Sequence, residues 1–313
     1  MSQTRSSILS SLKKPPTRTL AIVLSIAVLL VVGPAYSEPL NDSSTGQIST
    51  LPASEAALTT RPAESSSSGD SLSLDYVKDI FSDTGRIITS PGHWDSGDWL
   101  KAAAVVSITG GLISADAGIR DFAQRNQSPV AGKFATIGND LGNPLYTLPP
   151  VAAFYLYGYV NDDRKARRTS LRAVESLAIS SLFTEILKEV AQRNRPNSGA
   201  SPNSWNGPHF STKNVSFCSG HTSSAFSMAT VFAEEYRDTW YVPPIAYGLA
   251  SLTGLSRIYS NEHWASDVFF GAAVGYFVGQ TVVRYHQNAL SNNLSVTPVL
   301  SSEYKGVAVS INF

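Results

Sequence analysis

A single cysteine in 313 residues, Cys218, excludes any internal disulfide. The fold must stand on packing, which a chain of this length can supply. Net charge is missing as well: 24 Lys and Arg are balanced by 24 Asp and Glu. No overall field therefore recruits nucleic acid or another polyanion. No cluster of His, Cys, Asp and Glu at metal-ligand spacing is legible, so no metal is expected. There is no internal repeat, and little alternating-strand signal before residue 290.

What is present begins with an export signature. Arg5, Lys13, Lys14 and Arg18 precede an apolar run from Leu20 to Val32, followed by Gly33-Pro34-Ala35-Tyr36-Ser37. That order fits a secretory signal over residues 1–37. The run is short of the ~20 residues that a membrane span needs, and an uncleaved anchor is the alternative. The expected location is the periplasm or cell envelope. Residues 38–72 are rich in Ser, Thr and Pro, and bury too little apolar area to offset chain entropy. They read as a disordered linker.

Apolar residues recur at helical spacing from about Leu74 onward. The pattern predicts an all-α bundle over 73–290, with helices near 75–88, 96–114, 130–139, 147–160, 167–194, 221–236, 242–258 and 263–289. Breaker clusters such as Asn194-Arg195-Pro196-Asn197 separate them. After residue 290 the period changes. Val307, Val309, Ile311 and Phe313 alternate with small or polar residues, so 291–313 is predicted to form a short β-hairpin with 294–300. Pro298 confines the first strand to an edge.

Whether the bundle lies in a membrane turns on its ionisable residues. Segments 141–161, 239–256 and 268–283 approach spanning length without charge. Against them, 167–194 carries Glu175, Glu185 and Lys188, and charge inside a span is costly. The overall mean hydropathy of −0.04 is also low for six spans. These counts favour a water-soluble bundle. The basic run Arg164-Lys165-Ala166-Arg167-Arg168 reads as a solvated face, with contact to anionic head groups as the alternative.

Chemistry concentrates in Ser256 to Asp267, which reads Ser-Arg-Ile-Tyr-Ser-Asn-Glu-His-Trp-Ala-Ser-Asp. If a helix starts near Glu262, His263 and Asp267 share a face one turn apart. The carboxylate then orients one ring nitrogen and leaves the other basic, as a nucleophile needs. Arg257 adds a planar cation suited to phosphate oxygens. Such a pair standing alone is more often structural. Lys188 and Arg195 are spaced to share a helix face, and Pro196 should end that helix. Alone they read as surface cations. Ser219-Gly220-His221 opens an apolar helix, whose free N–H groups and dipole favour an anion. Its plain reading is Ser219 as an N-cap. His93, His209 and His286 fall in no pattern and read as structural or solvated.

Taken together, Lys188 with Arg195-Pro196, Ser219-Gly220-His221, and Ser256-Arg257 with His263 and Asp267 resemble the three-part signature of the type 2 phosphatidic acid phosphatase family. That family shares its site with bacterial acid phosphatases and vanadium haloperoxidases. The resemblance spans roughly residues 170–285 and implies an all-α bundle with its active site at helix ends. It implies that His263 attacks phosphorus, Asp267 orients it and His221 protonates the leaving oxygen. Lys188, Arg195, Ser219, Gly220 and Arg257 would hold the phosphoryl oxygens. The implied activity is metal-independent hydrolysis of a phosphomonoester or pyrophosphate, on a phosphorylated lipid or a small molecule at the membrane surface. No cofactor is implied, and vanadate would inhibit. Under the competing haloperoxidase reading vanadate would be the cofactor, and a third reading is a non-catalytic envelope protein. Arg193 lies outside the signature. Cys218 stands where the family usually has proline, which puts a thiol beside the site or loosens its loop.

Overall fold

The computed structural model describes residues 74–208, 215–292, 294–300 and 305–311. The expected signal segment and linker lie outside these residues. The chain forms α1 (Leu74–Thr89), α2 (Ser96–Arg125), α3 (Pro129–Leu141), α4 (Pro144–Val160), α5 (Arg164–Ala191), α6 (Gly220–Glu235), α7 (Val242–Tyr259) and α8 (Ala265–Asn292). Beyond them, β1 (Leu294–Leu300) and β2 (Lys305–Ile311) pair antiparallel, with Leu294 opposite Ile311.

Side-chain caps set several of the helix starts. The side chains of Asp95, Ser128, Asn143 and Asp163 accept from Asp98 N, Ala131 N, Leu145 N and Ala166 N. Each satisfies a donor that the first helical turn would otherwise leave without a partner. Pro129 and Pro144 stand at the start of α3 and α4, where a missing N–H costs nothing. Two boundaries differ from the sequence expectation. α2 continues to Arg125 instead of stopping near 114, because its polar second half packs inward through Asp116. α5 stops at Ala191, where Gln192 adopts a left-handed conformation (φ 45°), so Pro196 is not what ends it.

At the centre, α5, α6 and α8 pack on one another, with α4 on α5, α7 on α6, α3 on α7 and α2 on α8. Phe183, Leu187, Phe217, Phe270 and Val274 form the core between α5, the α6 approach and α8. A glycine ridge on α8 lets α6 come close. A Cβ on Gly271, Gly275 or Gly279 would lie 2.6, 2.2 or 2.6 Å from the carbonyl oxygen of Ser219, Ser223 or Ser227. Small residues four apart permit backbone-to-backbone packing of this kind.

The distribution of polarity is inverted relative to a water-soluble bundle. Arg172 and Glu175 on α5 and Glu235 on α6 are buried, and Arg172 pairs with Glu235 in the interior. Meanwhile Leu100 and Phe122 on α2, Leu145 and Leu156 on α4, and Ile245 and Leu255 on α7 are all more than half exposed. Contiguous apolar surface of this extent marks contact with lipid or another apolar partner. Both α2 and α8 are long and apolar enough to cross a membrane, and only 22% of the α2 window is buried. These faces fit membrane association, the alternative to the water-soluble bundle that the sequence counts favour. The charges counted against a membrane in 167–194 include Glu175, which faces inward, and Lys188, which lies in the site.

Gly275→Ala tests the ridge. The new methyl would meet the Ser223 carbonyl, and overpacking of this kind costs about 1–3 kcal/mol. The midpoint of thermal unfolding should fall. Unchanged stability would mean that the α6–α8 approach does not depend on glycine.

Candidate active site

Three segments converge at the start of α6 and α8. The first is the extended stretch after α5, which carries Arg195 at φ −71° and ψ 152°, ahead of a 3-10 turn at Pro196–Ser198. A residue before proline is held in this region. Lys188 lies in the last turn of α5. The two cations therefore meet through a chain reversal and not along one helix face. The second is the α6 N-terminus with Ser219, Gly220 and His221. The third is the α7–α8 corner, with Arg257 in the last turn of α7, His263 in the corner and Asp267 in the first turn of α8.

All eight residues singled out in the sequence gather here. A Cβ on Gly220 would be 3.4 Å from Lys188 Nζ. Ser219 N donates to the Asp267 carbonyl at 3.1 Å. Arg195 and Arg257 converge on Glu262, the latter at 3.6 Å. Lys188, Arg195 and Arg257 all act electrostatically on His221 and on His263. Ser219 occupies the N-cap position of α6, yet its side chain makes no capping bond. It accepts from Thr222 Oγ1 at 2.9 Å, which leaves its own O–H to donate.

The orientation of His263 departs from the expected carboxylate contact. α8 begins only at Ala265, so His263 lies outside the helix, with Nδ1 3.9 Å from Asp267 Oδ2. Nδ1 is instead 2.8 Å from the carbonyl oxygen of Ser216. A carbonyl can only accept, so Nδ1 carries the proton and Nε2 is the free base. Asp267 acts one step back. Its Oδ2 accepts from the Ser216 hydroxyl at 2.5 Å and from Trp264 N at 3.0 Å. It thereby ties the segment that carries Ser216 to the corner that carries His263.

Arg193, which falls outside the sequence signature, proves central. It is fully buried and donates to Asp267 Oδ1 at 2.5 Å, Ser266 Oγ at 2.7 Å and Asp116 Oδ2 at 2.7 Å. Its guanidinium lies over the rings of Trp205 and Trp264. Ser216, Asp116 and Asn139 were equally out of reach, since nothing local marks them. Asn139 Oδ1 accepts from Arg257 Nη1 at 2.7 Å and from Ser256 Oγ at 3.0 Å. Gly142 was missed too: a Cβ there would lie 2.8 Å from His221 Cβ and 2.5 Å from the Thr253 methyl.

The electrostatics are those of an anion site awaiting its anion. Burial first, then the cations Arg257, Lys188 and Arg195, lower the His221 pKa to about 4. His263 is pushed well below the ordinary histidine range by burial and then by the same three cations. Both imidazoles are therefore neutral at pH 7 in the free protein. Arg257 Nε is buried with no hydrogen-bond partner among the described residues, which makes it an open donor in the site. Cys218 is not a second reactive group. It is buried in the core cluster with Phe183 and Phe217, and burial pushes its thiol up to about 12.

Among the other histidines, His93 ends a 3-10 turn, and His209 lies outside the described residues. His286 lies against Glu175 and Asp83 at the other end of α8.

Comparison with known proteins agrees with this geometry. A family model described as the PAP2 superfamily matches residues 169–291. The lipid A 1-phosphatase of Porphyromonas gingivalis is 55% identical over 67 residues, covering 21% of this chain and 15% of that protein. The lipid A 4'-phosphatase of the same organism is 33% identical over 81 residues, or 26% of this chain and 34% of the relative. The chain thus spans well under half the length of either relative. A transmembrane PAP2-type phosphatidylglycerolphosphate phosphatase from Bacillus subtilis aligns with a TM-score of 0.47 at 21% identity. That alignment covers 59% of this chain and 96% of the other. The matched stretch holds all three parts of the signature, so residues 169–291 of this chain are similar to the PAP2 superfamily.

Proposed function

We propose that this protein is a metal-independent phosphatase of the cell envelope that hydrolyses a phosphomonoester or pyrophosphate on a lipid, through a phosphohistidine on His263. One observation carries the reading. Three cations, one of them with an unpartnered guanidinium N–H, act on two neutral imidazoles, one of which has its Nδ1 committed to a carbonyl and its Nε2 left basic. Phosphoryl transfer rests on positioning and charge stabilisation, and Lys188, Arg195 and Arg257 supply both. Ser219, Gly220 and the α6 N-terminus add donors for the equatorial oxygens.

In this mechanism His263 Nε2 attacks phosphorus in line with the leaving oxygen. The proton stays on Nδ1, which donates to the Ser216 carbonyl, so the positive charge that develops on the ring is shared with a fixed dipole. His221 gives the leaving oxygen its proton, then takes one from the water that cleaves the phosphohistidine. Asp267 and Arg193 are positioning residues, acting through Ser216 and the start of α8.

A lipid substrate is favoured by what adjoins the site. An apolar groove of about 340 Å³ runs between α6 and α7, lined by Leu141, Met228, Ile245, Leu249 and Thr253. Thr253 also packs at Gly142, which in turn packs on His221, so one end of the groove reaches the catalytic histidine. The exposed faces of α2, α4 and α7 would lie in the same lipid. The curated relatives named for lipid A phosphatase activity support the same substrate class. A direct test is phosphate release from a lipid monophosphate, an isoprenyl pyrophosphate and a soluble ester, with EDTA present. Activity confined to the soluble ester would refute the lipid assignment, and a strict Mg²⁺ requirement would refute the mechanism.

The lowered histidines predict the pH dependence. In the free enzyme His221 is protonated only near and below pH 4, whereas bound phosphate offsets the three cations and raises its pKa. The profile of kcat/KM reports the free enzyme and that of kcat the complex. The alkaline limb of kcat should therefore lie at higher pH than the alkaline limb of kcat/KM. Because His263 gains a proton only well below the usual range, the acid limb should lie far down in pH. Coincident alkaline limbs would mean that His221 is not the acid. His221→Ala should also cripple alkyl phosphates by about 10²–10⁴-fold while sparing p-nitrophenyl phosphate, whose leaving group needs no proton.

Glu262 makes a further case. Its carboxylate pairs with Arg195 and approaches Arg257 at 3.6 Å, where a phosphoryl group must bind. Substrate has to displace it. Glu262→Gln should lower KM several-fold at neutral pH with kcat little changed, as read from steady-state kinetics. A raised KM would show instead that Glu262 holds the arginines in place for the substrate.

A further inference from the structure

A second polar cluster lies far from the catalytic corner. At ~1.5 Å per residue along α8, His286 stands roughly 30 Å from Asp267. Asp83 on α1 and Glu175 on α5 meet His286 there. His286 Nε2 is 2.9 Å from Glu175 Oε2 and 3.7 Å from Asp83 Oδ2. One donor atom from each of the three lies within 4.8 Å of the others. The surroundings hold these groups in place. The Tyr76 hydroxyl donates to Glu175 Oε2 at 2.7 Å, and its ring stacks on the imidazole. Arg86 takes Asp83 Oδ1 at 3.2 Å, which leaves Oδ2 facing His286.

The cluster is incomplete as it stands. Glu175 is fully buried, yet its Oε1 has no hydrogen-bond partner among the described residues. An unsatisfied buried carboxylate oxygen is costly, and two carboxylates meeting in the interior repel each other. One imidazole N–H can answer only one of them. A divalent cation would answer both carboxylates and the imidazole lone pair together. The spacing suits it: a tetrahedral site with bonds of ~2.0–2.1 Å holds its donors ~3.3 Å apart, between the two separations measured here. An imidazole beside two carboxylates favours a borderline ion over Mg²⁺ or Ca²⁺, which prefer all-oxygen shells. The site is not sealed, since the His286 side chain is 12% exposed.

We propose that Asp83, Glu175 and His286 bind a divalent transition-metal ion of the zinc class. The ion is structural, and it fastens α1 to α5 and α8. Tyr76 acts in the second shell by orienting the Glu175 carboxylate. This proposal does not rest on the hydrolytic reading, because the two sites are separate and the phosphatase chemistry uses no metal.

The test uses the purified full-length chain, stripped with a chelator and dialysed against metal-free buffer. On titration with Zn²⁺ it should retain a single ion per chain by elemental analysis and show a raised midpoint of thermal unfolding. Co²⁺ in place of Zn²⁺ should give visible absorption bands of tetrahedral intensity. Loss of a second-shell partner alone costs about 10–100-fold in metal affinity, so His286→Gln and Asp83→Asn should each cost at least that. Chelation should lower thermal stability while leaving the phosphatase rate unchanged. Failure of the wild type to retain Zn²⁺, or equal affinity in His286→Gln, overturns the site. If a variant does not fold, the Co²⁺ spectrum of the wild type decides, and octahedral-type weak absorption counts against the proposal.

Discussion

The catalytic corner depends on one buried guanidinium. Arg193 has no solvent exposure and lies between the carboxylates of Asp116 and Asp267, neither of which is exposed. Burying three charges is costly, and the arrangement is tolerable only because each is paired and hydrogen-bonded. Asp116 also accepts from Ser266 N and Ser266 Oγ, so the start of α8 is tied to α2 from two directions. Removing Arg193 would leave two like charges facing each other with no solvent to screen them. Through Asp267, this pin sets Ser216, and through Ser216 it sets the tautomer of His263. A single cation thus fixes which His263 nitrogen is left basic.

The same corner explains how two histidines with like surroundings can take opposite roles. Both are neutral in the empty site, for the same reasons of burial and nearby cations. They differ in what holds them. His263 has its Nδ1 committed to a backbone carbonyl, which enforces a basic Nε2. His221 stands in the first turn of α6, beside Gly142 and the apolar groove, and neither of its ring nitrogens has a hydrogen bond among the described residues. A bound anion would offset Lys188, Arg195 and Arg257 and so let His221 hold a proton, and under the proposed mechanism this couples binding to acid catalysis through charge.

Much of this was legible in the chain. Helix positions followed from apolar spacing, and all three parts of the signature fall together in space because each sits at an element end. The rest was hidden for identifiable reasons. Arg193 and Arg195 are both basic residues beyond a helix end, and nothing local says that one turns inward and the other toward the site. Asp116 and Asn139 act on partners far away in sequence, which periodicity cannot register. The α5 terminus was misplaced because Pro196 is the conspicuous breaker, while Gln192 in a left-handed conformation leaves no mark. The charges in 167–194 carry a similar ambiguity: residue type reports polarity, but not the direction in which it points.

That inversion links the fold to the chemistry. A bundle with buried Arg172, Glu175 and Glu235 and exposed Leu, Ile and Phe has its polar groups satisfied by one another and its apolar faces left for lipid. In such surroundings a polar reaction centre is best built at helix ends, where water and unpaired backbone donors are both available. The cations at the α5 and α7 ends belong to that boundary, and the groove between α6 and α7 adjoins it. The lipid phosphate proposed as substrate would match both surfaces, its charged head the helix ends and its chain the groove, whereas a soluble ester would use only the first. The glycine ridge on α8 draws α6 and α8 together at this same corner.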